Sequence, residues 1–303
     1  MSNYPELYLH IKTLNFFGLI SCECRQDKDK KLTLITLRSH DIKAKKKLFI
    51  AVLGCLIMLI YCILCHQDFY ISVFTETGNH HSILLFECGC LLIPSFYVYL
   101  YVTRLRNICF LKVMLNYYND LWEKDGAKNV KPSRRQFFIY LEISLLSLVI
   151  SVMSYRQGLT AWSSKLCLMV LHSSVTSIVG IVNSFYVSIV KIFVMAMKNL
   201  NEELCESENL ISTQNILERR SQLMFFCFND LNKRFGLLLL LTVAYTLLLA
   251  PSGPYLVISR FLQLHLVNDI WTIIVPSIIT FCWSIPWIVI FVMMSQCGGL
   301  TIE

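Results

Sequence analysis

Two acidic residues, Glu87 and Glu142, sit inside long apolar stretches of this 303-residue chain. A carboxylate in hydrocarbon is expensive, so it marks either a working group facing a polar cavity or a side chain that snorkels to the interface. A polar strip, His172-Ser173-Ser174-Val175-Thr176-Ser177, opens inside another apolar stretch. Its imidazole and hydroxyls have two uses: to line an aqueous cavity, or to hydrogen-bond between helices. No Gly-x-Ser-x-Gly, His-Glu-x-x-His, phosphate loop or dinucleotide fingerprint is present, so no catalytic residue is expected. His80 and His81 have no third ligand at suitable spacing nearby, and Cys22-x-Cys24 has no companion pair. No metal or other cofactor is expected.

The elements that position these residues are six apolar stretches. They run from Leu48 to Cys65, Ile83 to Thr103, Phe137 to Tyr155, Leu166 to Lys191, Phe235 to Ile258 and Trp271 to Ser295. Each approaches the ~20 residues a helix needs to cross a bilayer. The composition agrees: 55% hydrophobic, 16% charged, mean hydropathy +0.57. Of the 27 Lys and Arg residues, only three fall in the loops after the first, third and fifth stretches. The positive-inside rule then predicts a cytoplasmic N-terminus, and six crossings return the C-terminus to the same side. The net charge of +7 is accounted for by these loops and anionic lipid, so no nucleic-acid partner is expected. The expected fold is all-α, a polytopic six-helix membrane bundle. Residues 1–47 form a basic cytoplasmic segment, 48–295 the bundle and 296–303 a short cytoplasmic tail.

Helical periodicity continues beyond the bilayer at two places, residues 104–125 and 192–234. Leu105, Ile108, Leu111, Leu115, Tyr118 and Leu121 recur at three or four residues, and the pattern ends near Asp125-Gly126. The fourth helix stays periodic through Met195, Leu200 and Leu204, and the polar run Glu206–Asn215 breaks it. Ile216, Leu217, Leu223, Phe226, Leu231 and Phe235 then line one face of an extension of the fifth helix. Such stripes imply a packed cytoplasmic layer or a partner helix, the alternative being headgroups. Leu14–Ile20 is too short to span and reads as an interfacial or protein-packed segment. Cys22 and Cys24 read as ordinary reduced thiols. Ala250–Tyr255, with Pro251 and Pro254, should kink the fifth helix, as a pocket wall or as packing requires.

Two segments carry a resemblance. Tyr8-Leu9-His10-Ile11 to Phe16-Phe17-Gly18-Leu19 precedes the membrane and ends in an aromatic-Gly turn. Leu223 through Leu240 reads Leu…Leu-Asn-x-x-Phe-Gly-Leu-x-Leu-Leu at the entry to the fifth helix. With the long cytoplasmic extensions and inside N-terminus, the chain resembles the insect gustatory receptor family over nearly its whole length.

The resemblance implies a plasma-membrane chemosensory subunit in tetrameric, ligand-gated cation channels of seven helices, assembled with copies of itself or related receptors. It implies a small-molecule tastant in a pocket open to the outside. Glu87, His172, Ser173, Thr176, Tyr255 and Trp283 are the expected polar and aromatic lining. The family's pore helix carries Thr-Tyr, several apolar residues, then Gln-Phe. This chain has no Thr-Tyr dipeptide, and eight residues follow Ser295. The expectation is that the seventh helix is missing and that residues 1–303 do not conduct alone. A non-conducting accessory or scaffold protein and an unrelated six-helix transporter are the alternatives.

Overall fold

Leu7, Ile11 and Leu14 fall on one face of an eleven-residue helix, α1 (Glu6–Phe16), and all three are buried. The computed structural model describes residues 6–16, 20, 22–27, 31–35, 42–43, 45–47, 49–50, 53, 108–125, 162–207, 209–237, 239–244, 246–247, 258, 285 and 288–295. The first three apolar stretches lie almost wholly outside these residues, as do most of the sixth and the Ala250–Tyr255 kink.

A short hairpin follows α1. Strand β1 (Glu23–Gln26) pairs antiparallel with β2 (Leu32–Ile35), with Glu23 opposite Ile35 and Gln26 opposite Leu32. The Asp27 N–H donates to the Lys31 carbonyl at 2.9 Å and closes the turn. Side chains alternate as a half-buried sheet requires: Cys22, Cys24 and Leu32 point inward, Glu23, Arg25 and Thr33 outward. The all-α expectation missed this hairpin. Four-residue strands containing Glu, Arg and Gln carry little signal of their own, and tertiary packing stabilises them. Leu14, Ile20 and Cys22 are buried with the hairpin core, while Phe16 is exposed.

Three helical elements complete the packed layer. Helix α2 (Ile108–Asp125) ends at the predicted residue. It buries Leu111, Leu115, Tyr118 and Leu121, together with Phe110 and Met114. Helix α3 (Trp162–Glu206) runs unbroken for 45 residues, about 68 Å at 1.5 Å per residue. Its part Val179–Glu206 contains an 18-residue stretch of mean hydropathy 1.8 and is long and apolar enough to cross a membrane, the one such helix among the described residues. Of that 18-residue stretch, 78% is buried inside the protein. Both α1 and α2 pack on α3, with His10 6.3 Å from Phe185 between ring centroids. The layer therefore overlaps the end of the fourth apolar stretch.

Asn209 turns the chain back. Its side chain accepts from the Ile211 N–H at 3.2 Å and caps α4 (Leu210–Phe225). Its carbonyl accepts from Thr213 N at 3.0 Å and Ser212 Oγ at 2.8 Å. Arg219 Nη1 lies 3.6 Å from Glu203 Oε2 across the α3–α4 hairpin, a half-exposed pair worth about 0.2–1 kcal/mol. A π-helical turn, Phe226–Leu231, continues α4 without a break, and helical backbone runs on through the described residues to 247. Ile216, Leu223, Phe226, Leu231 and Phe235 are buried as the stripe predicts. Leu217 is the exception at 47% exposed, because one residue turns the helix by about 100° and Ile216 already takes the inward position.

Candidate functional site

Helix α3 carries three of the six expected lining residues. His172, Ser173 and Thr176 lie within five helical positions, with His172 and Thr176 one turn apart on the same side. Glu87, Tyr255 and Trp283 lie outside the described residues. Val179, Phe185 and Phe193 of the same helix are buried in the packed layer, so the candidate strip and that layer share one helix. Buried polar groups inside the helix are satisfied by its own backbone. Asn183 Nδ2 donates to the Val179 carbonyl at 2.8 Å, and Ser188 Oγ to the Ser184 carbonyl at 3.0 Å. Thr246 makes the same i−4 bond to Thr242 at 2.6 Å. In an apolar surround this is the least costly place for a hydroxyl or amide proton.

The layer is joined by aromatic rings. Phe110 of α2 stacks on Phe226 of the π turn with centroids 5.2 Å apart and planes 11° from parallel. Phe193 of α3 meets Phe226 at 5.4 Å and the edge of Tyr117 at 5.8 Å. Tyr186 and Phe235 lie 5.2 Å apart. Such pairs add about 0.5–1.5 kcal/mol each beyond area burial. The Arg234 guanidinium sits 4.9 Å from the Phe110 centroid, within cation–π range. Burial, with a smaller contribution from nearby Cys227, raises the Tyr117 phenol above its ordinary pKa. Burial also pushes the Cys227 thiol up to about 11. Both groups are neutral near pH 7 and serve as packing. The stripe pattern identified Phe226 and Phe235 but missed Phe110, Tyr117 and Phe193. Their signal was the recurrence of aromatics at stripe-adjacent positions.

Gly236 follows from the same packing. A Cβ there would lie 2.6 Å from Asn232 Oδ1, so the amide of the Leu-Asn-x-x-Phe-Gly sequence occupies the space that glycine leaves.

The described residues form a mostly helical protein with one helix long and apolar enough to cross a membrane. The profile of the 7tm chemosensory receptor family matches residues 7–303, and the chain belongs to that family. Gustatory and pheromone receptor 39a of Drosophila melanogaster is a relative in two isoforms. Isoform A is 28% identical over 264 residues, covering 82% of this chain and 66% of the relative. Isoform D is 23% identical over 303 residues, covering 96% and 75%. The chain thus spans about two thirds of the length of the first of these. Members of this family are chemosensory receptors and not enzymes.

Proposed function

We propose that this chain is a plasma-membrane, multi-pass chemosensory subunit that binds a small organic tastant from outside and gates cation flow in assembly with related subunits. The continuity of α3 carries the reading. One helix bears His172, Ser173 and Thr176 and then runs into the aromatic layer at Phe185 and Phe193. Ligand displacement of the first part must move or strain the second, because a packed layer does not deform continuously. Glu87, Tyr255 and Trp283 complete the pocket in this reading, and six crossings place the basic loops in the cytoplasm.

Assembly as a homo- or hetero-tetramer is supported by the outer side of α4 and its π turn. Leu210, Ile211, Leu217, Met224, Phe225 and Phe228 are all exposed there. Such a surface marks a contact with another chain or with lipid, and this reading assigns it to a neighbouring subunit. An accessory subunit that binds ligand without conducting draws on this same observation.

The test is whole-cell recording with a panel of tastants and pheromone-like lipids, the chain being expressed alone and with related receptors. Ligand-evoked cation current in a co-expressing cell, shifted at least tenfold in ligand concentration by His172→Ala or Thr176→Val, is the expected result. A response untouched by His172→Ala, Ser173→Ala and Thr176→Val together would remove the pocket. Ligand binding without current in every combination would leave the accessory reading.

A further inference from the structure

A cavity of about 330 Å³ opens between α1, the β hairpin and the helical residues just before the first apolar stretch. That volume is at the lower end of the ~300–1,000 Å³ usual for ligand pockets. Its lining is basic. Lys12 comes from α1, and Lys43 and Lys47 come from the segment leading into Leu48. Asn15 contributes an amide and Glu23 one carboxylate. Two of the ammonium groups stand beside aromatic rings, Lys12 Nζ at 6.0 Å from the Tyr8 centroid and Lys47 Nζ at 5.9 Å from that of Phe16.

Three lysines against one glutamate leave a net charge of +2 on this lining. A phosphomonoester carries about −1.5 to −2 near pH 7 and has three strong acceptor oxygens. A single carboxylate would leave the cavity over-charged. The position selects the source of the phosphate. Phe16 is 72% exposed, and Ile42, Phe49, Ile50 and Leu53 are exposed on the neighbouring segment. Apolar side chains presented to the outside beside a lysine cavity, at the start of a membrane-spanning stretch, suit the headgroup boundary of an anionic leaflet.

We infer that Lys12, Lys43 and Lys47 form a binding site for the phosphorylated headgroup of an anionic membrane lipid, such as a phosphoinositide, with Phe16 and Phe49 seated among its acyl chains. The site rests on the cytoplasmic placement of residues 1–47 but not on the tastant pocket or on conduction. It ties α1 and the hairpin, and through them α3, to the composition of the inner leaflet. Glu23 sets an electrostatic ceiling on the affinity.

The experiment is lipid retention by the purified full chain in nanodiscs, read by native mass spectrometry. Phosphatidylinositol bisphosphate competes with phosphatidylcholine, and free inositol trisphosphate is added in a separate arm. The phosphoinositide should be retained preferentially. The triple variant Lys12→Gln, Lys43→Gln, Lys47→Gln should lose on the order of 100-fold in that preference, since each charge-assisted contact to the phosphate contributes several-fold. The double variant Lys45→Gln, Lys46→Gln, whose residues do not line the cavity, should lose far less. Glu23→Gln should bind more tightly, a gain that misfolding cannot produce. Equal loss in the two lysine variants would reduce the site to diffuse surface charge and overturn the proposal. Unchanged or weaker binding by Glu23→Gln would do the same. Displacement of the lipid by free inositol trisphosphate at matched concentration would show a soluble ligand and overturn the lipid assignment.

Discussion

Asn119 grips the backbone of Leu32 with both ends of its amide. Its Oδ1 accepts from the Leu32 N–H at 3.0 Å, and its Nδ2 donates to the Leu32 carbonyl at 3.0 Å. The side chain of α2 thus completes the outer edge of β2 across 87 residues of sequence. An edge strand otherwise leaves such groups to water or to another chain. Asn119→Ala should cost about 1–3 kcal/mol, because two partly buried backbone groups lose their partner. Hydrogen exchange at the Leu32 amide should rise, while exchange within α4 stays as in the parent. Unaltered protection at Leu32 would mean that the hairpin holds itself.

Charge placed on the inward stripe should be far more damaging than charge placed beside it. Leu111, Leu223 and Phe226 are buried, and Leu217 is largely exposed. Aspartate at any of the first three must be desolvated without a partner, at a cost of roughly 3 kcal/mol or more. Leu217→Asp should behave like the parent. Size-exclusion profiles of tagged protein report the monodisperse fraction. Parent-like profiles for Leu111→Asp, Leu223→Asp and Phe226→Asp together would place the stripes on lipid.

The thiols of the hairpin give a pH-dependent signature. Burial pushes Cys22 up to about 12, partly offset by a backbone hydrogen bond. Burial, with the neighbouring Cys22, pushes Cys24 up to about 12 as well. The fold holds these protons more tightly than the open chain does. The stabilisation is complete below the ordinary value of 9.0 and declines as pH rises toward 12. Maleimide labelling at pH 8, mapped by mass spectrometry, should mark exposed Cys205 well before Cys22 or Cys24. Labelling of all three at one rate would show that the hairpin is open in solution.

Topology has its own readout. The distribution of Lys and Arg predicts that residues 1–47 and 192–234 lie on the same side as each other, in the cytoplasm. Epitopes inserted before Glu6 and after Ser207 should stain only in permeabilised cells. Surface staining of either one in intact cells would reverse the orientation and remove the lipid-headgroup site with it.

The helices of the layer were legible because their inward faces repeat at three and four residues. Leu111, Leu115, Tyr118 and Leu121 needed nothing beyond that period. The hairpin was not legible, since Glu23–Gln26 and Leu32–Ile35 are too short and polar to separate from a basic tail. Their partners, Asn119 and α1, are distant in sequence or of another type. The candidate pocket was legible only as a set of residue types on separate stretches. Hydropathy locates an apolar helix but does not set its rotation, so His172 and Thr176 can be placed on one side of α3 without naming what that side faces. The aromatic junction at Phe110 and Phe193 depends on how three helices meet, and no single helix encodes that.

The π turn makes α4 and its continuation one residue longer than an α-helix with the same inward face. Phe226 and Leu231 are both buried yet five residues apart. At about 100° per residue, α geometry would place them about 140° apart around the axis. The widened i→i+5 turn absorbs the difference and keeps Leu231 and Phe235 in phase with Leu223. It has the form of an accommodated insertion. Removing exposed Asn229 should let the segment close as ordinary α-helix, with Phe235 still reaching Tyr186. Removing a residue one or two turns earlier, such as exposed Ser221, should rotate everything downstream by about 100° and carry Phe235 out of the layer. A one-residue deletion is therefore expected to be tolerated between Phe226 and Leu231 and to unfold the junction when placed within Leu210–Phe225.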